Sequence, residues 1–197
     1  SRGQISAILG GLVTLFLALL AMIIPIDTAF RVGELSIKIA TSIQILGRSI
    51  SLSPADQPVL SLIYGLTSLW FFGAHAARIA RRLIPLGLTI TALLVGSLAV
   101  EPFLYAALFI EMAVLLAVPL LSPPEQKPGR GIIYFLIYQT LAMPFILFSG
   151  WLLAGVEASP GDLILVAQSA TLLGLGFAFL LAIFPLYTWI PLLLQEA

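Results

Sequence analysis

The sequence lacks cysteine, contains one histidine and is poor in charge, since only 9% of its 197 residues are charged. Without cysteine, the chain cannot form a disulfide or bind a metal or an iron–sulfur cluster through thiolates. The single histidine, His75, argues against a haem or zinc site. Nine basic residues balance nine acidic ones, and this balance argues against binding to nucleic acid. We therefore expect no cofactor in this chain and no nucleic-acid partner.

Hydrophobic residues are abundant instead: they make up 60% of the chain, and the mean hydropathy is +1.13. An ordinary soluble domain is about 45–50% apolar and about a quarter charged. So few charges cannot cover a surface that faces water, which indicates that most of the chain faces a lipid bilayer. The composition therefore predicts an all-α integral membrane protein, with residues 1–197 forming a single membrane domain.

Charge-free runs, and the turn residues between them, predict about six transmembrane helices. The first run, residues 5–26, would form roughly 33 Å of helix, enough to cross a bilayer. A signal peptide has a shorter apolar core, so we interpret this run as a retained transmembrane helix. The other five helices are expected at residues 59–77, 83–100, 102–121, 131–156 and 163–195.

The last of these runs is too long for one span. It has 33 residues without a charge, whereas one span needs about 20. Pro185 and Pro191 each remove a backbone donor and disfavour helix in the residue before them. We therefore expect a helix that breaks near residues 182–185 and resumes as a short segment. A break of this kind is tolerated only where protein or a cavity satisfies the freed carbonyls.

The long polar segment, residues 27–58, carries a strand pattern. Residues 35–39 and 42–46 alternate between apolar and polar side chains, which is typical of β-strands. Residues 47–48 and 53–56 are typical of turns. The segment is therefore expected to form a small β-hairpin on one face of the membrane.

The distribution of Lys and Arg predicts the orientation, because cytoplasmic loops carry an excess of these residues. With six spans, one side of the membrane carries six cations and the other carries three together with six acids. We therefore expect the N-terminus on the cytoplasmic side and the hairpin on the opposite side. The six cations of the predicted cytoplasmic side are Arg2, Arg78, Arg81, Arg82, Lys127 and Arg130.

Glu111 is an acidic residue near the middle of the predicted span 102–121. A charged side chain at the centre of a bilayer costs about 2.5–3.5 kcal/mol on insertion scales, and such residues usually mark ion or proton pathways. Because burial favours the neutral acid, a glutamate at this place is suited to carrying a proton. The structural alternative is a protonated carboxyl that only holds a neighbouring helix by a hydrogen bond.

Other polar side chains in the spans carry a weaker signal. Water held between them could pass protons, although such side chains more often only hold helices together. No basic residue lies inside a predicted span, so Glu111 has no counter-ion there. Thr140, Ser169 and Thr171 are further polar side chains of the predicted spans that could partner Glu111. The candidate polar path comprises Tyr134, Tyr138, Gln139 and Gln168.

Three segments together resemble a known family. The first is Ala107-Leu-Phe-Ile-Glu111-Met, and the second is the helix start Ile132-Ile-Tyr-Phe-Leu-Ile-Tyr-Gln139. The third is the broken-helix motif, Gly176-Phe-Ala-Phe-Leu-Leu-Ala-Ile-Phe-Pro-Leu-Tyr-Thr-Trp-Ile-Pro191, which includes Pro185, Tyr187, Trp189 and Pro191. Their order and spacing resemble the antiporter-like proton-conducting membrane subunits of respiratory complex I (NADH-quinone oxidoreductase). Cation/proton antiporters and membrane-bound hydrogenases contain related subunits.

The resemblance covers the whole chain but only the N-terminal half of the family fold. It implies a fragment of a longer subunit, or a split or reduced version of it. Two positions depart from the family pattern. Leu180 occupies the place of the family's broken-helix lysine, and Tyr187 occupies the place of its histidine. In the family the intramembrane glutamate works with that lysine, and here this pair is absent.

The resemblance implies a membrane-arm subunit of a complex I-like proton-translocating oxidoreductase, with no redox centre of its own. Its partners would be other membrane subunits and the lipid of an energy-transducing membrane, either a bacterial or archaeal cytoplasmic membrane or its organelle equivalent. Glu111 would be the proton-transfer residue. Two alternatives stay open: a structural subunit that no longer pumps, as Leu180 suggests, and a cation/proton antiporter module.

Overall fold

A computed structural model describes residues 2–24, 26, 29–32, 35–38, 42–45, 48–122, 129–158 and 161–196. The chain divides into two compact units, Ser1–Glu101 and Pro102–Ala197. Each unit is built on helices, and only the first contains β-strands among the described residues. The chain is therefore mainly helical, as predicted from the sequence.

Three helices form most of the first unit: α1 (Arg2–Ile23), α2 (Gln57–Ala76) and α3 (Ala80–Ala99). The amide Nε2 of Gln57 donates to the carbonyls of Ala21 and Ile24 at 3.2 and 2.7 Å. Near the other end of α2, the Ser68 hydroxyl donates to the Gly11 carbonyl at 2.9 Å. Because the start of α2 pairs with the end of α1, the two helices run antiparallel.

A large aromatic side chain fills the centre of this unit. Phe71 is fully buried and packs with Ala7 and Ile84. A Cβ atom on Gly10 would lie 3.1 Å from the Phe71 ring, so glycine lets α1 come close to α2. The apolar surface buried here stabilises the three-helix arrangement at roughly 25 cal/mol per Å².

The described residues of the polar segment between α1 and α2 form two hairpins rather than the predicted one. Their four strands are β1 (Ala29–Val32), β2 (Leu35–Lys38), β3 (Ser42–Ile45) and β4 (Arg48–Ser51). The two predicted strands, β2 and β3, are both present, but each pairs antiparallel with a different neighbour, β1 and β4 respectively. Arg48, predicted in a turn, lies in β4. A short strand, β5 (Val100–Glu101), pairs with the other edge of β4.

Four helices form the second unit: α4 (Ala106–Leu121), α5 (Arg130–Ala158), α6 (Leu163–Leu180) and α7 (Trp189–Glu196). A single turn of 3-10 helix, Phe103–Tyr105, leads into α4. Ala107, Met143 and Ile146 form a buried apolar cluster between α4 and α5. A Cβ atom on Gly176 would lie 2.6 Å from Cγ1 of Ile146, so only glycine allows α6 this close to α5.

Within the described residues, five helices are long and apolar enough to cross a membrane. A sixth apolar helix, Leu83–Ala99, corresponds to the third predicted span and is shorter than the others. The chain therefore has the helical content of an integral membrane protein. The five longer spans are Gly3–Ile23, Pro54–Ala76, Phe103–Leu121, Arg130–Gly155 and Leu163–Leu180.

The helix expected over residues 163–195 is broken, as its two prolines predict. Helix α6 ends at Leu180, turns follow, and α7 begins at Trp189. The Phe184–Pro185 peptide is cis, and Ala182 has a φ of 52°. Pro191 is the third residue of α7, within the first turn, where a helix needs no donor from it. The prolines therefore separate one long apolar run into a spanning helix and a short one.

Candidate functional site

Glu111 lies on α4 inside the span Phe103–Leu121, with eight residues of the span before it and ten after it. Its side chain is half-buried within the second unit. The neighbouring residues Ile110 and Met112 are apolar. The carboxyl group therefore lies in the hydrophobic part of the helix, as the sequence predicted.

One oxygen of the Glu111 carboxyl has a partner on α5 and the other has none. The Thr140 hydroxyl donates to Oε1 at 3.1 Å. Oε2 is buried without a hydrogen-bond partner in the described part of the chain. A buried carboxyl oxygen without a partner is costly, so Oε2 is a place where a further hydrogen-bonding group would be favourable.

Pro144 changes the backbone next to this carboxyl. A proline inside a helix cannot donate to the carbonyl four residues earlier, and here that carbonyl belongs to Thr140. Thr140 therefore offers a hydroxyl that binds Glu111 and a carbonyl without its usual helical donor. Both groups lie beside an open groove of about 530 Å³ along α5, lined by Leu136, Ile137, Thr140, Leu141 and Pro144.

The residue before Thr140 contacts the broken helix. Gln139 is buried, and its amide Nε2 donates to the carbonyl of Leu180, the last residue of α6, at 3.2 Å. The carbonyls of the last helical turn have no donor within the helix, so they need partners from elsewhere. Gln139 supplies one of these partners. The sequence analysis expected protein groups to satisfy the break, and this side chain is one of them.

A second polar contact joins α5 to the turns after α6. The Thr188 hydroxyl donates to the phenol oxygen of Tyr138 at 3.3 Å. The ring of Tyr138 stacks on Phe179, with ring centres 6.2 Å apart. The sequence analysis did not single out Thr188 as a site residue, although it lies inside the broken-helix motif between Tyr187 and Trp189.

Leu180 belongs to the apolar interior. It packs against the cluster of Ala107, Met143 and Ile146. Its side chain therefore contributes to packing, whereas its carbonyl accepts from Gln139. The side chain of this position carries no charge that could influence Glu111.

The four residues singled out in the broken-helix motif, Pro185, Tyr187, Trp189 and Pro191, are aromatic or proline. Trp189 packs edge-on against Phe135 with ring centres 5.1 Å apart, and its indole Nε1 is buried without a partner among the described residues. Tyr187 is 43% exposed and stacks on Phe184. The indole N–H is a further unused hydrogen-bonding group at the break.

Two residues of the candidate path lie away from these contacts. Tyr134 is 43% exposed, and Gln168 is exposed on α6 beside Thr171. Within the described residues, neither forms a hydrogen bond to Glu111, Tyr138 or Gln139. The structure therefore joins Tyr138 and Gln139 to the break and Thr140 to Glu111.

Pro144 is the residue of this site that the sequence analysis missed. The signal was the spacing of four residues between Thr140 and Pro144, which identifies the carbonyl that loses its donor. Over the described ranges, no group of three or more His, Asp or Glu side chains comes together to hold a metal ion.

Comparison with protein-family models, with curated proteins and with solved structures finds no match to this chain. The functional interpretation therefore depends on the chemistry of the Glu111 site and on the motif resemblance described above.

Proposed function

We propose that this chain is a membrane-arm subunit of a complex I-like proton-translocating oxidoreductase, in which Glu111 takes up and releases a proton. The chain has no redox centre of its own and works with other membrane subunits. It lies in an energy-transducing membrane with its N-terminus on the cytoplasmic side. The hairpins lie on the opposite face.

The observation that carries this proposal is the unpaired oxygen of Glu111. A carboxyl that serves only to join helices would be expected to use both oxygens, because an unpaired polar atom in a span is costly. Here Thr140 holds one oxygen, and the other stays available for a proton. The carboxyl can therefore change its protonation state without losing its anchor.

The groove along α5 passes the residue that binds this carboxyl. Pro144 leaves the carbonyl of Thr140, which lines the groove, without its helical donor, whereas Glu111 itself is not among the lining residues. On the next residue, Gln139 connects α5 with the end of α6. Water that enters near the break would meet Tyr138 and Thr188, the second polar pair of this unit.

The direct test is Glu111→Gln in the assembled complex, with proton translocation measured in proteoliposomes. Glutamine keeps the shape of glutamate and accepts the bond from Thr140, but it cannot release a proton. We expect normal assembly and strongly reduced translocation. Glu101→Gln, which changes a carboxyl outside the spans, is the control and should translocate normally. Unchanged translocation by Glu111→Gln would refute the proposed role.

The packing of Leu180 favours a second candidate, a structural subunit without conduction. A leucine in the apolar cluster replaces the charge that the resembling family uses, and the fold accommodates it fully. Under this alternative Glu111 contributes only its hydrogen bond to Thr140. Glu111→Gln would then leave translocation unchanged, whereas Glu111→Leu would reduce the amount of assembled complex.

A further inference from the structure

The connection between α2 and α3 is short and strongly basic. Helix α2 ends at Ala76 and α3 begins at Ala80, so only residues 77–79 separate them. Arg78 lies in this connection, and Arg81 and Arg82 occupy the first turn of α3. Three arginines therefore fall within five consecutive residues.

The backbone at Arg78 is one that favours glycine. Its φ is 59°, in the left-handed region, where a residue with a Cβ atom is disfavoured. The amide of Arg78 bonds to the carbonyl of His75 at 3.1 Å, and the amide of Ile79 bonds to the carbonyl of Ala74 at 3.1 Å. This pattern closes the C-terminus of a helix, and glycine is its usual residue at the position of Arg78. The side chain of Arg78 is therefore present against the local backbone preference.

The two arginines that follow also oppose a local preference. The N-terminus of a helix carries a partial positive charge, so acidic residues are favoured in the first turn and basic ones are not. The first turn of α3 contains Arg81 and Arg82 and no acid. Neither the turn nor the helix explains the choice of arginine at these three positions.

Among the described residues of this unit, acids occur at only one of its two ends, which also carries Arg48 of β4. Because α1 and α2 run antiparallel, Arg2 at the start of α1 lies at the same end as Arg78. The acids of the unit that the structure describes, Asp56 and Glu101, lie at the opposite end, just before α2 and just after α3. A helix of about 20 residues separates the two ends by about 30 Å. No ion pair to Arg78 is found within the described ranges.

We propose that this connection binds the phosphate groups of anionic phospholipids in the membrane leaflet that it faces. Guanidinium groups recognise phosphate through paired hydrogen bonds, and basic residues next to a span are attracted to anionic lipid. Ile79, between Arg78 and Arg81, is 62% exposed. An exposed apolar side chain beside arginine suits the boundary between headgroups and acyl chains. The exposed side chain of Ile79 therefore favours a lipid over free phosphate as the ligand.

Arg78→Gly gives a sharp test, because glycine removes the cation and suits the backbone. The purified full chain is titrated with phosphatidylglycerol in a neutral detergent, and the Tm is measured. Without lipid, we expect the Tm of Arg78→Gly to be at least as high as that of the wild type. Phosphatidylglycerol should raise the Tm of Arg78→Gly by less than it raises that of the wild type. Binding should weaken about fivefold for each arginine removed. Substituting Arg81 and Arg82 by Gln as well should nearly abolish the lipid effect.

Two controls separate the proposal from weaker explanations. Arg130→Gln removes an exposed arginine from the second unit and should keep the full gain from phosphatidylglycerol. Inorganic phosphate at the same concentration should leave the Tm of the wild type unchanged. The proposal is overturned if phosphatidylglycerol raises the Tm of Arg78→Gly as much as that of the wild type. It is also overturned if Arg130→Gln loses as much of this rise in Tm as Arg78→Gly does, or if inorganic phosphate raises the Tm as the lipid does.

Discussion

Two consecutive side chains of α5 bind two different helices. Thr140 donates to the carboxyl of Glu111 on α4, and Gln139 donates to the last carbonyl of α6, at Leu180. Successive residues of a helix point about 100° apart, which lets one segment serve two neighbours. Any movement of α5 at this place therefore affects both Glu111 and the break.

Removing the hydroxyl of Thr140 tests its role toward Glu111. In Thr140→Val we expect proton translocation to fall, because the carboxyl loses the bond that fixes its orientation. The loss of stability should be small, about 0.6 kcal/mol, as for an average hydrogen bond between membrane helices. Thr171→Val is the matched control, since the Thr171 hydroxyl bonds only within its own helix. Equal translocation by the two variants would show that Thr140 does not position Glu111.

Replacing Gln139 by Leu should destabilise the second unit. The carbonyl of Leu180 would lose its donor while staying covered, which costs about 1–3 kcal/mol. Gln168→Leu is the matched control, because Gln168 is exposed and should change stability by less than about 0.5 kcal/mol. Denaturant unfolding in detergent measures the free energy of unfolding of both variants. A Gln139→Leu variant as stable as Gln168→Leu would contradict the role given to Gln139.

At the scale of elements, the helices followed from the sequence and the strand pairing did not. Long apolar runs have only one way to satisfy their backbone in lipid, and prolines mark the break of α6 directly. The alternation of apolar and polar residues identified β2 and β3, but it fits any antiparallel partner equally well. Residues 33–34 and 46–47, each with a glycine, were the signal for two separate hairpins. The position of Glu111 within an apolar helix followed from the sequence, whereas its contact with Thr140 depends on how α4 and α5 pack.

The packing of α6 on α5 depends on one of two nearby glycines. Gly176→Ala would place a Cβ atom 2.6 Å from Cγ1 of Ile146, which is fully buried and cannot move freely. We expect destabilisation of about 1–3 kcal/mol. Gly174→Ala adds the same methyl group in open space and should be neutral or stabilising by up to about 1 kcal/mol. Unfolding in detergent should therefore place Gly176→Ala below the wild type in stability and Gly174→Ala at or above it.

The small sheet should loosen in acid. Hydrogen bonds from Ser51 and Ser49 lower the pKa of Glu101 below its ordinary value. The ionised carboxyl of Glu101 therefore stabilises the sheet fully above the ordinary carboxyl pKa. This stabilisation is lost as the pH falls through the lowered pKa of Glu101. The protection factors of the β4 amides, which correct for the slower intrinsic exchange in acid, should fall at acidic pH. In Glu101→Gln this acid dependence should be weaker, and equal pH profiles for the two proteins would contradict the assignment.

At the scale of the whole molecule, the absence of native cysteine makes the orientation directly measurable. Ile79 and Ser53 are both exposed and lie near opposite ends of α2. With a membrane-impermeant maleimide applied to intact cells, we expect Ser53→Cys to be labelled and Ile79→Cys to be labelled only after permeabilisation. The reverse pattern would invert the proposed orientation. The unsubstituted chain is the background control, since it has no thiol.

The short connection between α2 and α3 also bears on how the protein enters the membrane. Three residues cannot stretch across a bilayer, so the end of α2 and the start of α3 must lie on the same side of the membrane. With the N-terminus on the cytoplasmic side, we expect this connection to remain on the side of synthesis while both helices insert. The arginines at that connection would then never pass through the hydrocarbon, and biogenesis would avoid the cost of translocating them.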